Sequence, residues 1–109
     1  MSDYKAALES EQFSEQTIFL DAVTATGKSG VKRLPSRLPI SVDLLITGAA
    51  TVKLYVSNIE SDKNGTRWGS SIRTFTQSEK IIIQDEPWMF WMFDVESISS
   101  GTVSVATGA

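Results

Sequence analysis

The sequence contains no cysteine and no histidine. Their absence removes disulfides, the thiol nucleophile, the usual zinc ligand sets and the one side chain that titrates near neutrality. Most enzyme mechanisms lose their central group, so the expectation is a protein that is not an enzyme and uses no cofactor and no metal. No apolar run approaches the ~18 residues of a membrane-spanning helix. The opening Met1-Ser2-Asp3-Tyr4-Lys5 has neither a basic start nor an apolar stretch. A signal peptide is therefore not expected, and folding in a cytosol is. What is present suits one compact unit: 109 residues, 41% hydrophobic and 21% charged, enough for one core and no more.

The net charge of −3 lacks the basic excess of a nucleic-acid coat. Its distribution is more informative than its sum. Residues 1–21 carry −4, residues 22–42 carry +4 with no acid, and residues 43–109 carry −3. The plain reading of such blocks is solvated loops. The sharper reading is that an acidic arm and a basic loop each face a complementary partner surface, because charge matching governs register and encounter rate.

Residues 1–16 are polar, with Ser2 or Asp3 as possible helix caps and Tyr4 and Leu8 four apart on one helical face. They read as an arm, partly helical or extended, leading into a domain over 17–109. From Thr17 the period becomes two: Ile18, Leu20 and Ala22 alternate with Phe19, Asp21 and Val23. Gly27 to Pro39, with two glycines, two prolines and four cations, reads as an extended loop. The clearest signal follows. Leu38, Ile40, Val42, Leu44 and Ile46 alternate strictly with a mostly polar set, as in a half-buried strand. Pro39, lacking an amide donor, belongs near that strand's start or on a sheet edge.

Gly48-Ala49-Ala50 then turns the chain into Val52, Leu54 and Val56, predicting a hairpin with the preceding strand. Asn64-Gly65 predicts a type I′ hairpin turn. Short strands are expected within 66–76 and 79–84, and a central one over 87–98, where Met89, Trp91, Phe93 and Val95 share a face. Val103 and Val105 close the pattern. About seven to eight short strands at roughly ten-residue spacing, with no internal helix pattern, predict an all-β fold, an antiparallel β-sandwich or small barrel.

Several site motifs fail on spacing. Gly27-Lys28-Ser29 resembles the end of a phosphate-binding loop, but the earlier glycine would fall at Ala22 and no helix follows. Asp62, Asn64 and Gly65 resemble the start of a calcium loop, but the required glycine and glutamate fall on Arg67 and Arg73. Asp94 and Glu96 lie two apart on one strand, ~7 Å between side chains, a conceivable carboxylate pair with no other catalytic feature near it. Trp68, Trp88 and Trp91 could stack on sugars, as in a carbohydrate-binding module. Trp88 and Trp91 sit in an apolar strand and are expected in the core. Trp68, beside the Asn-Gly turn, is expected near the surface as an interface aromatic. The basic loop has no interleaved aromatics, which argues against single-stranded nucleic acid.

The order of features from 36 to 107 resembles the small all-β capsid decoration, or cement, proteins of tailed bacteriophages. It rests on Gly48-Ala49-Ala50-Thr51-Val52-Lys53-Leu54-Tyr55-Val56-Ser57-Asn58, Asn64-Gly65-Thr66-Arg67-Trp68, Pro87-Trp88-Met89-Phe90-Trp91 and Ser100-Gly101-Thr102-Val103-Ser104-Val105. The resemblance implies a jelly-roll-like sandwich on the virion, at the outer capsid surface. It implies the major capsid protein as partner, bridging of neighbouring capsomers, self-association there, and no catalytic residue, membrane or small-molecule substrate. The residues expected to make partner contacts are Tyr4, Leu8 and Phe13 in the arm, Lys28, Lys32, Arg33 and Arg37 in the basic loop, and Trp68. The rival expectations are a tail or head–tail virion component and a carbohydrate-binding module.

Overall fold

The computed structural model describes residues 16–34, 39–84 and 88–108. The expected contacts Tyr4, Leu8, Phe13 and Arg37, and all of the expected arm except Gln16, lie outside them. The described residues form nine strands and no helix: β1 (Gln16–Val23), β2 (Gly27–Lys28), β3 (Lys32–Arg33), β4 (Ile40–Ile46), β5 (Ala49–Ser57), β6 (Arg73–Phe75), β7 (Glu79–Ile83), β8 (Phe90–Ser100) and β9 (Val103–Gly108).

Two sheets result. Sheet A has the order β1-β9-β4-β7, and sheet B the order β2-β8-β5-β6 with β3 also on β8. Every pairing is antiparallel. The chain changes sheet at every connection except β2–β3 and β5–β6. This interleaving of two four-stranded sheets is that of a jelly roll, with β3 added to it. The all-β sandwich expected from the alternation is the fold of the chain.

The physical reason is visible in β4, whose residues alternate buried and exposed without a break. One face is apolar and needs a second apolar face above it. β5 supplies that from the other sheet through Ala50, Val52, Leu54 and Val56. Trp91, Phe93 and Val95 of β8 and Val103 and Val105 of β9 complete the core. The Phe19 and Phe93 rings meet edge to face across the two sheets, with centroids 4.8 Å apart, a contact worth about 0.5–1.5 kcal/mol beyond burial. Trp91 is wholly buried, and its indole N–H donates to the Trp88 carbonyl at 2.8 Å.

Four local expectations are corrected. β4 and β5 are not a hairpin: β4 pairs with β7 and β9, β5 with β6 and β8, and Thr47-Gly48 carries the chain over the core. Strict alternation fits either arrangement, since both place the two apolar rows on the core side. The 27–39 stretch is not simply loop. Its glycine-rich start and its cations add β2 and β3 to the open side of β8, held by reciprocal bonds between Ser29 and Phe93 (Ser29 N to Phe93 O 2.7 Å, Phe93 N to Ser29 Oγ 3.0 Å).

Alternation also fails in β1. Phe19 and Leu20 are both buried while Ile18, Asp21 and Ala22 are exposed. Register shifts on either side of Leu20 and a φ of 52° at Ala22 break the period; a bulge lets two neighbouring side chains face inward. Finally, Asp62-Lys63-Asn64-Gly65 is a turn, but neither Asn64 nor Gly65 has a positive φ. Gly65 N–H donates to the Asp62 carbonyl at 3.0 Å, and the Asp62 carboxylate accepts from Asn64 N–H at 2.9 Å. Asp at the first position and Gly at the fourth suit a type I turn, here inside the long 58–72 connection between β5 and β6.

The two tight crossovers lie side by side at one end. Thr47 N–H donates to the Thr102 carbonyl at 3.0 Å, and Thr102 N–H donates to Thr47 Oγ1 at 2.8 Å. A Cβ at Gly48 would strike the Ser100 carbonyl; one at Gly101, where φ is 79°, would lie 2.5 Å from Gly48 N.

Candidate functional site

Three surfaces hold the chemistry. The first is an edge of sheet B with no further strand beside it among the described residues, where β2 and β3 run along β8 and present Lys28, Lys32 and Arg33, all exposed. Lys28 sits opposite Asp94, Lys32 opposite Trp91 and Arg33 opposite Phe90. Three of the four expected cations therefore share one edge. Cations on an edge strand also discourage unwanted strand pairing.

The second is the outer side of sheet B. Lys53 Nζ pairs with Glu96 Oε2 at 2.9 Å, and that hydrogen bond and charge raise the Lys53 pKa above its ordinary value. Burial pushes the Asp94 carboxyl up; Lys28 opposes the shift, Glu96 adds to it and Lys53 opposes it. The two carboxylates are thus tied into a lattice of cations. Lys63 and Asn64 of the 58–72 connection line an open depression with Lys28, Asp94 and Glu96, which places that connection over this side of the sheet. Among the described residues no group of three acidic side chains could hold a metal ion.

Trp68 belongs to the same connection and corrects the expectation of a surface aromatic. Only 7% of it is exposed, and its indole N–H donates to the Asp62 carbonyl at 2.9 Å. Met92 is buried as well, though it alternates with the core-facing Trp91 and Phe93. Neither belongs to the main core cluster. Trp91 is in the core and Trp88 is half-buried against it, so the three tryptophans form no exposed platform for sugar rings.

The third surface was not singled out from the sequence. Ile18, Leu45 and Ile82 are 52%, 52% and 61% exposed. All three lie on the outer side of sheet A, where Ile18 pairs in register with Ala106, Leu45 with Ser104 and Ile82 with Ser41. Ile18, Leu45 and Ala106 line an open groove of about 620 Å³ together with Asp21, Asp43 and Lys80. Asp43 pairs with Lys80 at 3.0 Å across β4 and β7. The signal was faint but present. Leu45 breaks the polar row of β4, and Ile81-Ile82-Ile83 must send its middle residue away from the core.

No protein-family model matches the sequence, and no curated protein does either. Among solved structures, the chain is similar to the crystal structure of the SPBc2 prophage-derived protein YomS, with a TM-score of 0.67 and 16% identity over 87% of this chain and 90% of that one. At that identity the likeness shows a shared fold.

Proposed function

We propose that this protein is a structural component of a bacteriophage virion, a capsid decoration or cement protein. It binds the outer surface of the major capsid protein shell and bridges neighbouring capsomers, acting by adhesion and transforming no substrate. The observation that carries the reading is the distribution of exposed groups. A jelly roll with a well-filled core leaves a cationic edge at Lys28, Lys32 and Arg33 and an apolar outer face at Ile18, Leu45 and Ile82. Such surfaces suit docking on large neighbours. The strand-and-turn phrases of 36–107 and the fold shared with a prophage-derived protein support the phage setting, by analogy of fold. In this reading Tyr4, Leu8, Phe13 and the acidic residues beside them reach the shell, and the basic edge with Arg37 makes the second contact. Many copies of a weak contact sum to firm retention on a symmetric shell through effective concentration.

Addition of the purified full-length chain to shells that lack it tests the proposal. Co-sedimentation in hundreds of copies per particle is expected; a few copies per particle would indicate a tail or head–tail component. Deleting residues 2–14 should leave a folded domain that no longer co-sediments, and undiminished addition would refute the arm's role. Salt at about 0.5 M should weaken attachment, because exposed charge pairs are then screened within a few ångströms.

A further inference from the structure

We infer that β7 is the edge through which this chain pairs with a second copy of itself. The β7 strands of the two copies run antiparallel about a two-fold axis at Ile82, and sheet A continues from one copy into the other. This contact is separate from the shell attachment proposed above and does not depend on it.

A strand at the rim of a sheet offers unpaired N–H and C=O groups to any other strand, and proteins blunt such rims with bulges, cations, prolines or very short strands. Among the described residues, sheet A ends on β1 and β7, and sheet B on β6 and on β2 with β3. Three of these rims are blunted. β1 carries two register shifts and a positive φ at Ala22. β2 and β3 are two residues each and present Lys28, Lys32 and Arg33. β6 has three residues and begins with Arg73. β7 is different. Its five residues pair with β4 in unbroken register, with no glycine, proline or positive φ among them, and the last three are all isoleucine. Its one lysine, Lys80, is drawn back over β4 by Asp43 at 3.0 Å.

The order of side chains along β7 fits its own copy. Strands paired about a two-fold axis set inner row against inner row, and a slip of one residue would turn core side chains to solvent. Centred on Ile82, the pairing sets Ile82 against Ile82 of the second copy and Ile81 against Ile83. Lys80 then meets Gln84, which is exposed as Lys80 is. β-branched side chains opposite one another suit a pleated sheet. The two lysines lie about 14 Å apart along the strands. A pairing centred on Lys80 would put them face to face, and one centred on Ile81 would set Glu79 against the buried Ile83. Residues 1–15 offer no such match, because they contain no valine, isoleucine or threonine, the β-branched residues that favour strands.

The same patch is used on both copies, so the contact closes at two and does not propagate. The joined segments are short, so association needs high protein concentration.

Sedimentation velocity of the full chain, without shells, should show monomers passing to dimers and nothing larger as concentration rises. Salt at about 0.5 M should change this little, because backbone hydrogen bonds and apolar side chains make the contact. Ile82 is 61% exposed, so its replacement should leave the single chain folded, which far-UV circular dichroism checks. Ile82→Lys and Ile82→Glu each set like charges against each other on the axis and should weaken the dimer at least about tenfold. Mixed, they should recover it as a one-to-one pair of the two variants. The chain has no cysteine, which allows a second readout. Side chains facing each other on the axis lie within disulfide reach, so oxidised glutathione should cross-link Ile82→Cys to itself. Leu45→Cys, exposed on the same sheet but on β4, should not cross-link. A wild type that is monomeric throughout, an association lost in salt, or a dimer indifferent to both charged variants overturns the proposal. So does a mixture that stays monomeric, an Ile82→Cys chain that does not cross-link, or equal cross-linking of Ile82→Cys and Leu45→Cys.

Discussion

The two outer sides of the sandwich differ in how the chain finishes them. On sheet B, the 58–72 connection turns back over the strands, Trp68 and Met92 are buried outside the main core, and Lys53 is matched by Glu96. On sheet A nothing described lies above Ile18, Leu45 and Ile82, which stay more than half exposed. Both sheets bury their inner rows equally well, so the difference does not come from folding. The chain spends fifteen residues closing one side and none described on the other, and the open side is where a partner gains most by covering apolar surface.

The largest expected effect falls on the covered side. Trp68→Ala should cost about 3 kcal/mol of stability, in the range for deleting a buried aromatic ring. It should lower the urea midpoint and raise amide exchange across 58–72, while the strands keep their protection. A loss near zero would mean that this connection is not packed, and the contrast between the two sides would vanish. On the open side, Leu45→Ser with Ile82→Ser should change stability by no more than about 0.5 kcal/mol, as surface substitutions do. A large loss there would show that the face contributes to the fold of the single chain.

The smallest effect is electrostatic. Burial raises the Asp94 carboxyl above its ordinary value, so the folded chain holds that proton to higher pH than the unfolded chain does. Stability should therefore fall as pH rises from about 3.9 through the raised value, and the lost part returns on acidification. Asp94→Asn removes this contribution. The wild type should gain on the variant as pH is lowered in denaturant titrations across the mildly acidic range. Parallel curves would show that the carboxyl is no more desolvated in the folded chain than in the unfolded one.

Much of the architecture was legible because one row of β4 alternates cleanly and because Trp91 and Phe93 share a face of β8. Period tells which side of a strand is buried, but not which strand lies beside it. That is why the step from β4 to β5 read as a hairpin when it is a crossover. The Asp62–Gly65 turn was located correctly and typed wrongly: the Asn-Gly pair suggested positive φ, while the Asp62 side chain fixed a different turn through Asn64 N–H. Trp68 read as a surface residue because it stands beside the Asn-Gly turn, between Arg67 and Gly69, and its burial depends on the path of a whole connection. The apolar face of sheet A escaped notice for a related reason. Ile18, Leu45 and Ile82 come from three strands, and only the sheet order gathers them.

The adjoining crossovers make positions 48 and 101 hostages to one another. A side chain added at either meets the opposite crossover's backbone, so neither glycine can drift while the other stays in place. Distant points in the chain thus share a single steric veto, and variants recovered from a mutational library should show bulk at both positions rejected more severely than at any exposed turn glycine.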